Sequence, residues 1–152
     1  MEQESPAAYR MLLVTLRSEA DAQDALQDAF IRAWRDLPTL RDPERWSAWF
    51  RRLAVRAALD RAKRERGARD LTMRLTPPVP APDPAAAVAA RDEILRAMAG
   101  LSAEQRALLA LRYAADLEMP EVATALGIPL GTAKSRLHRT LARLRSELGE
   151  RQ

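Results

Sequence analysis

"GIPLGTAKSRLHRTLARLR", Gly127 to Arg145, decides how this chain is read. From Gly131 to Arg145 it holds five basic residues and no acidic one. Glycine and proline at its start break any preceding helix, and Leu130 to Leu148 then reads as one helix. At about 100° per residue, Leu130, Ala133, Leu137, Leu141, Leu144 and Leu148 fall on one narrow stripe. That stripe has to pack on something. Thr132, Ser135 and Arg139 lie opposite it, and Lys134, Arg136, His138, Arg143 and Arg145 lie on the flanks. A short helix, about Met119 to Leu126, precedes the Gly127 turn. Short helix, tight turn and longer basic helix make a helix-turn-helix pattern. Short polar donors and an Arg fork would face base edges, with flanking cations on phosphates. A merely solvated face would mix acids among its bases. His138 has no companion ligands and reads as a surface or DNA-facing polar residue.

The charge distribution along the chain agrees with this reading. The net charge of the 152 residues is only +4. Yet residues 51–69 carry eight basic and two acidic groups, and 131–145 carry five and none, while 1–50 and 70–130 are each net −3. Two basic islands in an acidic chain are the electrostatic footprint expected of nucleic-acid binding. Of the 25 basic residues 23 are arginine, so Arg-rich composition alone is the competing explanation. There is no cysteine and one histidine, which excludes disulfides, cysteine-ligated zinc and a His-rich metal site. No metal or other cofactor is expected. No apolar run approaches the roughly 20 residues of a membrane helix, and the acidic, polar start is unlike a signal peptide. The chain is therefore expected to be cytoplasmic, with no membrane insertion.

The pattern elsewhere is helical. β-branched residues are few, and Ala, Leu and Arg dominate. Ser5 and Pro6 can open a first helix with stripe Tyr9, Leu12, Leu13 and Leu16. A second, Glu19 to Leu37, has the face Ala22, Ala25, Leu26, Ala29, Phe30, Ala33, Trp34 and Leu37. Asp42 and Pro43 open a third, with the face Trp46, Trp49, Phe50, Leu53, Ala54 and Ala57, ending near Gly67. "TPPVPAPDP", Thr76 to Pro84, reads as a stiff linker. Beyond it, Ala85–Ala99 is expected to be helical, then Ser102 and Gln105 form a capping box for a helix through Tyr113. The fold class expected is all-α, with two small helical domains at 1–68 and 89–152 joined by a flexible linker at 69–88.

"LSAEQRALLALRYAADLEMPEVATALGIPLGTAKSRLHRTLARLR", Leu101 to Arg145, resembles region 4 of the sigma-70 family in its extracytoplasmic-function (ECF) form. "DAQDALQDAFIRAW", Asp21 to Trp34, resembles region 2.2, and "RWSAWFRRLA", Arg45 to Ala54, resembles region 2.3 running into 2.4. The resemblance covers nearly the whole chain, in family order. It implies a factor that binds RNA polymerase core through the β′ clamp helices and the β flap and directs transcription initiation at promoters, often held by an anti-sigma factor. It implies core contact by Asp24, Gln27, Asp28, Ile31 and Arg35, with Asp24 and Gln27 foremost. It implies −10 engagement by Arg41, Arg45, Trp46, Arg51, Arg52, Arg56 and Lys63. It implies −35 binding by Thr132, Lys134, Ser135, Arg136, His138, Arg139 and Arg143. The chain departs from the family pattern at four places. Arg56 stands where Asn is common, Leu40 where an aromatic is frequent, Asp42 where Gly is frequent, and Glu118 where Ser often caps.

A linker of 20 residues reaches at most about 70 Å, roughly two turns of duplex, so tethered domains gain effective concentration on two elements. The rival from another class is a stand-alone helix-turn-helix regulator whose N-terminal half dimerises or senses. It leaves the region 2.2 stretch and the first basic island unexplained. An enzyme is disfavoured, for there is no Gly-rich phosphate loop, metal-spaced cluster or nucleophile elbow.

Overall fold

Local capping chemistry sets most of the helix starts in this computed structural model, which describes residues 4–72 and 96–149, the side chains of 69–72 excepted. Helix α1 spans Glu4–Leu16. Ser5 and Pro6 lie inside its first turn, so Ser5 is not the cap that the sequence suggests. Ser18 caps α2, Glu19–Asp36, its hydroxyl accepting from the Asp21 N–H at 3.2 Å. The Asp42 carboxylate accepts from the Glu44 N–H and opens a 3-10 turn, Pro43–Arg45, that feeds α3, Trp46–Thr72. Gly67 does not end α3. A mid-helix glycine costs only about 1 kcal/mol, and nothing there requires a left-handed backbone. The first four residues of the expected linker are therefore helical. Residues 73–88, and most of the helix expected from Ala85, lie outside the described residues; 96–99 form a helical turn.

The second group of helices begins with α4, Ala103–Leu109, closed at its start by a complete Ser102/Gln105 capping box. It runs on into one wider π turn, Ala110–Ala114. Helix α5, Met119–Leu126, follows. Glu118 is not mute at its start: the Glu121 carboxylate accepts from the Glu118 N–H at 3.1 Å. Gly127 ends α5 at φ 65°, with Ile128 N–H donating to Ala123 O and Gly127 N–H to Thr124 O. This Schellman closure needs a residue that tolerates the left-handed region, hence glycine. It turns the chain into α6, Leu130–Gly149. All elements among the described residues are helical, so the all-α expectation holds.

The two groups are not two separate bodies. Met11, Leu12, Ala25, Ala29, Phe50 and Val55 belong to one continuous buried cluster with Leu108, Leu111, Leu117 and Val122. Helix α1 packs on α4 and the π turn, and α3 packs on α4 and α5. Polar bonds cross the junction. Arg106 Nε donates to Thr15 O at 2.8 Å, Arg51 Nη1 donates to Ala115 O at 2.8 Å, and Arg66 pairs with Glu104 at 2.7 Å. Burial lowers the Arg106 guanidinium pKa, as does the nearby Arg17 charge.

Candidate nucleic-acid interface

Helix α6 is held by a seam of buried Ala133 and Thr140 with half-buried Leu137, Leu141 and Leu144. Thr140 was not on the expected stripe, and its hydroxyl has no hydrogen bond among the described residues. Leu130, expected on the stripe, is partly exposed. The seam is thus turned slightly from the Leu-only line. The polar side still faces outward: Lys134, Ser135, Arg136, His138, Arg139 and Arg143 are all exposed, and Thr132 is half-buried. Ser135 Oγ donates to Thr132 O and Arg139 Nε to Ser135 O at 3.3 Å, both long local contacts. Arg143 is different, since its Nε meets the Glu147 carboxylate at 2.9 Å.

The first basic island looks different. Arg61 bridges Asp21 and Asp24 of α2, each at 2.9 Å, and Glu65 on its own helix. Burial raises the Asp21 pKa, but hydrogen bonds from Ser18 and Arg61 outweigh it and hold the carboxyl below its ordinary range. Arg66 holds Glu104. Arg51 is mostly buried between the two helical groups, bonded to Ala115 O and 3.3 Å from Glu4. Arg51, expected to engage the −10 strand, is thus bonded within the protein here. Arg45 and Arg52 line a cleft shared with Leu117, Pro120, Glu121 and Thr124 of the other group. Arg41, Arg45, Arg56 and Lys63 are exposed, and Arg52 is half-buried. Trp46 is half-buried, stacked on Phe50 at 5.5 Å and tilted against Trp49 at 5.4 Å. It is therefore part of the apolar face at the start of α3.

On α2, Gln27, Ile31 and Arg35 are exposed and Asp28 is half-buried. Asp24 is exposed but tied to Arg61, and Arg35 forms a fork with Asp36 at 2.8 and 3.1 Å. The periodic reading missed the end of this helix. Trp34 is 82% exposed, with Ile31 and Leu37 also largely open. Together with Phe30, Ala33 and Trp46 they line an apolar groove. Solvent-facing apolar surface of this kind is a usual mark of a docking site. The only signal in sequence was Ile31, an apolar residue off the buried stripe. No cluster of three or more potential metal ligands exists among the described residues, nor a helix long and apolar enough to cross a membrane.

Helices alone among the described residues, with a helix-turn-helix ending in a basic helix whose exposed row from Lys134 to Arg139 carries no acid, define a DNA-binding protein by class. Comparison with known proteins narrows this further. The sigma-70 region 2 model matches residues 1–68 and the sigma-70 region 4 model matches 91–144. The ECF RNA polymerase sigma factor SigM of Mycobacterium tuberculosis is 36% identical over 141 residues, covering 93% of this chain and 71% of its own. RNA polymerase sigma-E factor of Streptomyces coelicolor is 34% identical over 128 residues, 84% and 72% of the two chains. The sigma factor RpoE of Bartonella quintana, solved in complex with the anti-sigma factor NepR, shares the fold with a TM-score of 0.78. It is 24% identical over 97% of this chain and 92% of that one. The chain belongs to the ECF sigma factors, the sigma-70 proteins that bind RNA polymerase core and direct it to promoters.

Proposed function

We propose a division of labour within that activity. Residues 1–68 hold polymerase core and the −10 element, and the helices from residue 89 onward hold the −35 element. The observation that carries this is α6: an exposed, acid-free row of Lys134, Ser135, Arg136, His138 and Arg139 behind a buried seam at Ala133 and Thr140. Ser135 and Arg139, at the centre of the outward face, read bases; Lys134 and Arg136 hold phosphates, with Arg143 and Thr132 at the margins. On the −10 side, Arg41, Arg45, Arg52, Arg56 and Lys63 supply cationic grip. Arg56 in place of the family's common Asn gives a point charge or a guanine-type fork where an amide would read an adenine edge, so −10 selectivity should differ from that of Asn-bearing relatives. The chain acts by binding, without a catalytic centre or cofactor of its own, and works in the cytoplasm where its relatives' polymerase is.

Core contact centres on the exposed side of α2, toward the β′ clamp helices, and uses Gln27 and Ile31 together with Trp34 and Leu37. Asp24 and Asp28 contribute charge at its edge, and the region 4 helices meet the β flap. The open apolar groove also suits an anti-sigma factor, a partner of the kind seen with the Bartonella quintana protein. Competition for core measured with Gln27→Ala and Trp34→Ala tests the reading. Both side chains are exposed, so folding should be unchanged and core affinity should fall about ten-fold or more for Trp34→Ala. Full affinity in both variants would overturn the assignment of this face.

A further inference from the structure

Arg61 belongs to the first basic island but is not one of the cations expected to grip DNA, and its guanidinium is bonded to α2 instead. Nε donates to Asp21 Oδ1 at 2.9 Å, and Nη2 lies 2.9 Å from Asp24 Oδ2. We propose that Arg61 is a positioning residue for core binding, fixing the Asp24 carboxylate that α2 presents to the polymerase. The inference rests on the assignment of the exposed side of α2 to core.

Local geometry explains why a cation is needed there. Asp21 and Asp24 are an i,i+3 pair and so share one face of α2. Two such carboxylates repel, and the cation between them comes from α3, 40 positions beyond Asp21. A guanidinium is planar and holds its two donor edges at a fixed angle. Asp24 is therefore set relative to α3 as well as to its own helix. Helix α3 also carries Arg56 and Lys63, so the core-facing acid and the −10 cations share one frame. Glu65, one turn further on, steadies the same guanidinium at 3.5 Å.

Burial is graded in the direction that positioning requires. The side chains of Arg61 and Asp21 are 25% and 22% exposed, whereas that of Asp24 is 55% exposed. The inner pair is the anchor and Asp24 the outward end. A cation that merely masked Asp24 would cover it. Here the carboxylate stays open, and its two oxygens offer more acceptor sites than one N–H group can fill. A side chain already held in place has less freedom to lose when a partner binds. Two carboxylates on one guanidinium also leave that corner of α2 negative, so a cationic group of the partner is still attracted.

The test is a double-mutant cycle in the full chain, read as affinity for core polymerase by competition at a temperature well below unfolding. Arg61→Ala should weaken core binding about three- to ten-fold. It should have no further effect when Asp24→Asn is already present. Val55→Ala, at a fully buried position, supplies a destabilised fold with the Arg61–Asp24 pair intact, and it should keep core affinity. An equal loss from Arg61→Ala with and without Asp24→Asn overturns the proposal, because the effect would not pass through Asp24. A matching loss from Val55→Ala overturns it too, as mere destabilisation. Unchanged binding by Arg61→Ala overturns it, and tighter binding would make Arg61 a mask. Trp34→Ala separates the two levels. If it weakens core binding while Arg61→Ala does not, the α2 face stands and the positioning role falls. If neither variant changes core binding, the α2 face falls as well.

Discussion

The two basic islands are alike in sequence and unlike in the structure. The one at 51–69 is partly committed to the protein itself. Arg61 holds two carboxylates of α2, Arg66 holds Glu104, and Arg51 bonds a backbone carbonyl of the other helical group. The one at 131–145 is mostly free: among the described residues Arg143 has an acidic partner, Glu147, and Lys134, Arg136 and Arg139 have none. Counting charges along a chain gives the size of a potential field. It does not say which cations remain for a ligand after folding. Only the position of the carboxylates, often far off in sequence, decides that.

The comparison yields a graded set of expectations. The largest effect on stability should come from Arg61→Ala. It leaves Asp21 and Asp24 without their shared cation and should cost about 2 kcal/mol, since hydrogen bonds to charged groups are worth about 1.5–3 kcal/mol. Thermal unfolding should show a fall of several degrees, while Arg145→Ala or Lys134→Ala, on the free island, should stay within about 0.5 kcal/mol. A loss from Lys134→Ala as large as that from Arg61→Ala would break the contrast.

In DNA binding the order reverses. Arg139→Ala should lose about 1–3 kcal/mol at the −35 element and relax selectivity at one position, read out by selection from randomised sites. Lys134→Ala should weaken all sequences alike and lower the salt slope by about one unit. Arg143→Ala should change the slope less, because Glu147 already offsets that charge. If Arg139→Ala keeps the preferred sequence and only weakens binding, α6 is rotated on the DNA from the orientation proposed.

The smallest expected effect is in acid. The Asp21 carboxyl is held below its ordinary value of 3.8 in the folded chain. A depressed carboxylate stabilises the fold fully above its unfolded pKa, and that stabilisation is lost as pH falls through the folded one. The stability gap between the unmodified chain and Arg61→Ala should therefore be constant from neutral pH down to about 5 and narrow below about 4. A gap that persists unchanged at pH 2 would remove the charge from the explanation.

These contrasts also mark where the sequence was legible. Starts fixed by local chemistry were readable: Asp42 before Pro43, Ser102 with Gln105, and Gly127 between α5 and α6 each act on their own neighbours. The helix-turn-helix, and with it the class of protein, followed from those signals and from the spacing of leucines. Positions decided by distant segments were not readable. Trp34 keeps the 3.6-residue spacing of the α2 face, yet among the described residues no helix covers that last turn, so it is exposed. Arg51 looks like its neighbour Arg52 in sequence, and becomes a junction residue only because Ala115, 64 positions on, arrives beside it. Thr140, seven residues on from Ala133 and so beside it on the helix, is buried in the seam, while Leu130, at the start of α6, is exposed. The packing of the two helical groups on each other was not readable either, for the "TPPVPAPDP" stretch gives a length and says nothing of what its ends do.

The central claim is that this chain confers promoter selection on RNA polymerase core through the exposed basic face of α6 and the cations of α3. The most direct measurement is in vitro transcription from a library of randomised promoters, with purified bacterial core polymerase and this protein as the one added factor. The account predicts start sites downstream of a recurrent −35 motif, dependent on the added protein, with the −35 preference altered by Arg139→Ala and left in place by Arg56→Ala, which should shift the −10 preference instead. DNA binding that persists without any core-dependent transcript would contradict it and would leave a stand-alone regulator in its place.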